Sequence, residues 1–209
     1  MSSELFEAID KQDVTRVSEL LKQGADPNVF NTEWPGYTPL QMAVSELEHG
    51  ASFKMAELLL EYGADINAWD KSNDLTPLLI AIFSQNDKAI GALLAGGADP
   101  NVRSGDGDSP LRWLVHEKKY ELVELLLHMG ARETIDEPGE PGGLTALGLA
   151  SKQLNAPIVE LLLKNGANPH FLDEYISPPQ KIMPARKDSD YDLWNTVMKL
   201  LKHELDKRN

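Results

Sequence analysis

Gly24-Ala25-Asp26-Pro27-Asn28 decides the reading of this chain, because the chain keeps returning to it. It recurs as Gly63-Ala64-Asp65-Ile66-Asn67, Gly97-Ala98-Asp99-Pro100-Asn101 and Gly166-Ala167-Asn168-Pro169-His170, with a weaker copy at Gly130-Ala131-Arg132-Glu133-Thr134. The glycines lie 39, 34, 33 and 36 residues apart, and each follows a Leu pair, at 20–21, 59–60, 93–94, 126–127 and 162–163. A period in this range marks a stacked array, in which each unit buries its apolar faces only against its neighbours.

The chemistry of the unit can be read from its parts. The Leu pair lies on the buried side of a helix that is ending. Gly closes that helix, since the left-handed cap costs least without a side chain. Asp and Asn then favour turns by bonding nearby backbone amides. Downstream comes a second recurring stretch: Thr38-Pro39-Leu40, Thr76-Pro77-Leu78, Ser109-Pro110-Leu111 and Thr145-Ala146-Leu147. Ser or Thr before Pro predicts a helix start, with the hydroxyl capping unpaired amides and Pro in the first turn. Each unit therefore reads as extended turn, helix, short loop, helix, Gly.

With these motifs in one order and register, the chain resembles the ankyrin repeat family over roughly residues 3 to 180. The pattern is met at 38–67, 76–101 and 109–134, and at 145–170 with Ala146 in place of Pro. The resemblance implies an all-α solenoid of stacked helix-turn-helix units with β-hairpin fingers, a small single-domain protein of bacterial type, and protein–protein binding. It does not imply an enzyme. The expected organisation is one domain: a cap over 1–29, full repeats at 30–68, 69–102, 103–135 and 136–170, and a degenerate cap over 171–209 ending in an amphipathic helix from Asp190 to Lys207. Leu193, Val197, Leu200, Leu201 and Leu205 form that helix's expected apolar stripe. Four extra residues between Thr38 and Leu59 predict a longer first helix or a longer loop near Glu46 to Ala51.

The formal net charge is −13, and it is uneven. Residues 1–102 hold 16 acidic and 6 basic side chains, net −10, whereas residues 103–209 hold 17 and 14, net −3. Such a first half repels nucleic acid and anionic membrane and attracts a basic protein. Cysteine is absent, so disulfides and Cys-zinc sites are excluded, which fits a reducing compartment. The opening residues Met1 to Phe6 lack a basic, apolar leader, and no run is long enough to span a membrane. The expectation is a cytoplasmic protein that is monomeric when free.

No catalytic constellation is found. His49, His116, His128, His170 and His203 show no metal-ligand spacing. Ser104-Gly105-Asp106-Gly107-Asp108 has the acids of a calcium loop without its later Glu, and Gly with Asp is what a tight finger needs. No cofactor, metal, nucleotide or nucleic acid is expected. What remains is a surface. The resemblance places exposed positions before each Thr-Pro start and late in each first helix, on one concave face. These are Phe30, Glu33, Trp34, Tyr37 and Glu46; Trp69, Asp70, Asp74, Leu75 and Phe83; Arg103, Asp106, Asp108 and His116; and Asp136, Glu137 and Glu140 of the longest finger. Trp34 and Trp69 are the expected anchors, while Trp113 reads as core and Leu79 as an apolar residue on the concave side. The leading functional expectation is a module holding one basic protein partner, in the manner of an immunity protein or antitoxin. The alternatives are a general adaptor and an accessory domain of an enzyme.

Overall fold

Thr38, Thr76, Ser109 and Thr145 are buried, and each hydroxyl accepts the backbone N–H three residues on, at 3.3, 3.4, 3.3 and 3.1 Å. In the computed structural model of the chain these caps start the helices α3 (Pro39–Ser45), α5 (Pro77–Phe83), α7 (Pro110–His116) and α9 (Ala146–Lys152). Each is followed by an antiparallel partner: α4 (Lys54–Glu61), α6 (Asp87–Ala95), α8 (Tyr120–His128) and α10 (Ala156–Lys164). The pair α1 (Ser2–Asp10) and α2 (Val14–Lys22) opens the chain, and α11 (Pro179–Ile182) and α12 (Tyr191–Arg208) close it. The structure describes residues 2–33, 35–71, 75–139, 143–173, 177, 179–185, 187 and 190–208.

The repeated glycine does what the motif predicts. Gly24, Gly63, Gly97, Gly130 and Gly166 have φ between +86 and +102°. The Ala that follows sends its N–H back to the first Leu of the pair, Leu20, Leu59, Leu93, Leu126 or Leu162, at 3.0 Å in every copy. Gly donates to the second Leu. This six-to-one bond with a left-handed residue inside it is the Schellman closure, so the Leu-Leu-x-x-Gly-Ala spacing is one hydrogen-bonded device. The first Leu of each pair is at most 1% exposed.

The residues divide into two units, Met1–Gly105 and Asp106–Asn209. In the first, α1, α3 and α5 pack in sequence as one layer, and α2 packs on α4 behind it. Asn28 and Asn67 link successive copies of the motif, since their Oδ1 atoms accept Asp65 N–H at 2.7 Å and Asp99 N–H at 2.8 Å. Gln41 is wholly buried; its Oε1 accepts Thr38 N–H at 2.8 Å and its Nε2 donates to Ala68 O at 3.0 Å and Leu75 O at 2.7 Å. The extra residues after α3 form neither more α-helix nor an open loop. They make a 3-10 turn, Glu46–His49, that buries Leu47 and ends at left-handed Gly50.

In the second unit α7 packs on α9, α9 on α10, and α12 on α10. The weak copy at 130–134 lacks the linking Asn. Asp136 replaces it, its Oδ1 accepting Asn168 N–H at 2.8 Å. Gly148 stands where Gln41 stands in α3; a Cβ there would overlap Leu172 O, so the chain from Phe171 onward runs directly against α9. Thr145 bonds it twice, N–H to Leu172 O at 3.0 Å and Oγ1 to Phe171 O at 2.7 Å. The terminal helix buries Val197, Met198 and Leu201, whereas Leu193, assigned to the stripe by spacing, is 52% exposed. Its first turn is held instead by Trp194, whose Nε1 donates to Pro184 O at 3.2 Å.

The hairpin fingers are simpler than expected. Among the described residues no strand forms; the backbone reverses on single pairs, Asn31 N–H to Tyr37 O at 2.8 Å and Asp70 N–H to Leu75 O at 3.0 Å, plus one isolated bridge, Leu144 to Asp173. The second finger closes with a side chain where a ladder would use a carbonyl: Asp70 Oδ1 accepts Leu75 N–H at 2.8 Å.

Candidate partner-binding surface

Fingers and first helices set the exposed positions of each unit. In the first unit Phe30, Trp69 and Phe83 remain 36%, 43% and 38% exposed, which is high for large apolar side chains. Lys71 Nζ lies 4.5 Å from the centre of the Phe30 ring, a cation–π contact between neighbouring fingers. Glu33 is exposed beside it, and its N–H is held by Asn31 Oδ1 at 3.1 Å. Tyr37 is half-buried. Glu46 is half-buried in the 3-10 turn, its carboxylate 3.7 Å from His49 Nδ1. Leu75 is half-buried with both backbone groups engaged, and Arg103 is exposed. Trp34 and Asp74 lie outside the described residues.

Two positions expected at this surface turn inward. Asp70 is 5% exposed because its carboxylate closes its own finger. Leu79 is fully buried, so α5 shows no apolar patch there.

Below Phe30 the first unit carries a groove of about 530 Å³ between α1, the first finger and α3. Phe6, Phe30 and Met42 give it apolar surface; Glu7, Asp10 and Glu33 bring carboxylates to it. Lys11 bonds Glu7 at 2.5 Å, and that hydrogen bond holds the Glu7 carboxyl below the usual carboxylate range. Asp10 and Glu33 have no ion-pair partner among the described residues. Sequence spacing did not single out Phe6, Asp10 or Met42, because Phe6 and Asp10 of α1 meet Met42 of α3 and the first finger only through folding.

The second unit offers a smaller hollow of about 160 Å³, lined by Asp108, Arg112, Trp113, His116 and Leu149. Trp113, read as core from the sequence, is half-buried and stands edge-on to His116, ring centres 6.2 Å apart. Arg112 is held from both sides: Nε donates to Asp108 Oδ1 at 2.8 Å and Nη1 to Leu144 O. Asp108 is thereby half-buried and paired, while Asp106 is exposed. His116 is exposed beside Glu117, at 2.9 Å. Asp136 serves the Asn168 link, Glu137 is half-buried, and Glu140 lies outside the described residues.

No cluster of His, Asp or Glu among the described residues could hold a metal ion, and none of their helices is long and apolar enough to cross a membrane.

Comparison with known proteins agrees with this architecture. The family model described as ankyrin repeats (3 copies) matches residues 5–104 and 78–173. An ankyrin repeat protein of Fowlpox virus (strain NVSL) is 31% identical over 166 residues, 78% of this chain and 48% of its own. The human transient receptor potential cation channel subfamily A member 1 is 28% identical over 77% of this chain, which spans 14% of the channel. The mouse 2-5A-dependent ribonuclease is 42% identical over 38% of this chain and 10% of its own length. The chain thus spans about half of the viral relative and far less of the other two. Among solved structures, an ankyrin repeat domain from Acinetobacter baumannii AYE superposes with a TM-score of 0.76 at 25% identity, covering 98% of both chains. The ankyrin repeat protein EF0377 gives 0.71 at 28% identity, over 95% of this chain and 96% of that one. The fold is the helical ankyrin repeat fold, and the chain belongs to the ankyrin repeat family.

Proposed function

We propose that this chain is a stoichiometric binding module for one basic protein partner, and that it blocks that partner as an immunity protein or antitoxin does. Ankyrin repeats are a general protein-interaction module, and a protein partner follows from the family. The observation that carries the finer reading is Trp69: a 43% exposed indole on a finger of the half of the chain with net charge −10. An exposed aromatic among acids supplies an anchor and a steering field together. Phe30, Glu33, Trp34 and Phe83 belong to the proposed interface. No catalytic role is assigned, and the unbound chain acts as a cytoplasmic monomer.

The test has two steps. The partner is identified by pull-down from the native host with mass spectrometry, then binding is measured by surface plasmon resonance with wild type, Trp69→Ala and Trp34→Ala. An interface tryptophan cut to Ala costs about 2 kcal/mol, roughly thirtyfold in affinity. Wild-type binding by both variants would refute this interface. A partner whose activity is unchanged in the complex would refute the blocking role and leave an adaptor.

One observation favours a second reading. The chain matches small fractions of a channel and of a ribonuclease, 14% and 10% of their lengths, so ankyrin segments of this kind also serve inside larger proteins. On that reading the module is the accessory part of an enzyme. Recovery of a catalytic domain on the same polypeptide in the host would decide for it.

A further inference from the structure

The groove under Phe30 differs from the remaining acidic surface of the first unit. It combines an apolar floor with a rim of carboxylates, of which Glu7 is ion-paired with Lys11 and Asp10 lies within the electrostatic reach of the same lysine. Phe6 and Met42 line it from α1 and α3, and Phe30 closes one side with a ring that is 36% exposed. The rim is unevenly paired. Glu7 is bonded to Lys11, while Asp10, three residues further along α1, and Glu33, on the finger, are exposed and have no ion-pair partner among the described residues. The Phe30 ring already receives one cation, since Lys71 Nζ stands 4.5 Å from its centre.

Apolar stem, cationic head and planar face are what such a groove complements, and they occur together in arginine. Its methylenes pack on apolar surface, its guanidinium forks onto carboxylates, and its plane stacks on an aromatic ring; a lysine head does only part of this. At about 530 Å³ the groove has room for an arginine together with an apolar neighbour. We infer that the groove between α1 and the first finger is the docking place for an arginine side chain of the protein partner, with Asp10 and Glu33 as its counter-charges and Phe30 as its stacking face. This rests on the reading of the first unit as a protein-binding surface, and it names the partner's chemistry at one point of that surface.

The probe is the blocked peptide acetyl-Leu-Arg-Arg-Leu-amide, with an analogue carrying citrulline at both arginines, which keeps the shape and removes the charge. Titrated into the isotope-labelled full chain, the arginine peptide should shift backbone amides of α1, residues 30–33 and Met42. The double variant Asp10→Asn/Glu33→Gln should weaken the peptide about fivefold, as two exposed ion pairs of about 0.5 kcal/mol each predict. The control Glu121→Gln/Glu124→Gln, which removes two exposed acids of α8, should leave affinity unchanged. The citrulline analogue should lose at least as much as the groove variant does. Shifts scattered over the acidic surface, equal effects of the two double variants, or a citrulline peptide that binds as well as the arginine one would each overturn the assignment. If Trp69→Ala weakens the native partner and Asp10→Asn/Glu33→Gln does not, the groove assignment fails alone. If neither affects it, the interface reading fails with it.

Discussion

At Gly97 the backbone sits at φ +95° and nothing lies within 4 Å of where a Cβ would stand. The demand for glycine there is purely conformational: an L-residue pays about 1–2 kcal/mol for the left-handed region. Gly97→Ala should therefore lower stability by about that amount without altering any contact, read as a shifted urea midpoint at constant slope. The mirror case lies at the ends of the first helices, where Gln12, Gln85, Lys118 and Leu154 hold φ of 52 to 58° without being glycine. Lys118 is exposed, so Lys118→Gly removes strain and loses little packing. It should raise stability by up to about 1 kcal/mol, the strain relieved less the added entropy of an unfolded glycine. These conformational requirements differ in legibility. The repeated glycines are legible because glycine is the residue that suits the left-handed position of the closure. Gln12, Gln85, Lys118 and Leu154 occupy the same position of an identical closure, since Asp13, Asn86, Lys119 and Asn155 send their N–H back to Ala8, Ala81, Leu114 and Ala150 at 2.9–3.0 Å, and they are not legible because their residue types carry no such signal. Asp70 fails for a related reason. Its spacing matches an exposed finger position, and only the finger's own backbone turns the carboxylate inward to Leu75 N–H.

At the scale of elements, the residue following Thr-Pro-Leu decides how one repeat is tied to the next. In α3 it is Gln41, whose amide reaches Ala68 O and Leu75 O. In α7 it is Arg112, which reaches Leu144 O, the corresponding carbonyl before the next cap. In α9 it is Gly148, which admits Leu172 O without a side chain. Gln41→Leu keeps the volume, takes the side-chain donor from the part-buried Ala68 O and leaves the buried Thr38 N–H without its acceptor, while Leu75 O keeps Asp70 N–H, so it should cost about 1–3 kcal/mol for each group left without a partner. Amide exchange should then speed at Leu75 and Asp70 before it does in α2. Gly148→Ala should cost more than Gly97→Ala does, because its methyl meets a backbone oxygen in addition to any conformational term; the two urea midpoints compare directly. Helix starts and ends were legible from capping residues alone, as Thr38, Thr76, Ser109 and Thr145 demonstrate. The 3-10 turn at Glu46–His49 was legible only as surplus length, since propensity does not separate it from one more helical turn. Trp113 was misread because helical spacing places it on the core side, whereas the space beside Leu149 leaves it half-exposed over a hollow.

Over the whole chain the charge is the property no single repeat determines. Residues 1–102 carry net −10 and residues 103–209 net −3, and the exposed indole of Trp69 lies in the more acidic part. A field of that sign accelerates encounter with a basic partner and fades within about 10 Å at 0.1 M salt. Desolvated contact acts later, on release. The two contributions should separate kinetically. Replacing the exposed acids Glu33, Glu48, Glu57 and Asp87 by their amides should lower the association rate at low ionic strength and matter little at high salt. Trp69→Ala should raise the dissociation rate at every salt concentration, by roughly the thirtyfold that about 2 kcal/mol corresponds to. Measured together on the pulled-down partner, the pair distinguishes steering from anchoring. An association rate that ignores both salt and the four amides would mean that the partner is not recognised by its charge. The acidic half would then act as a solubilising surface, and the hollow beside Trp113 would become the place to look for contact.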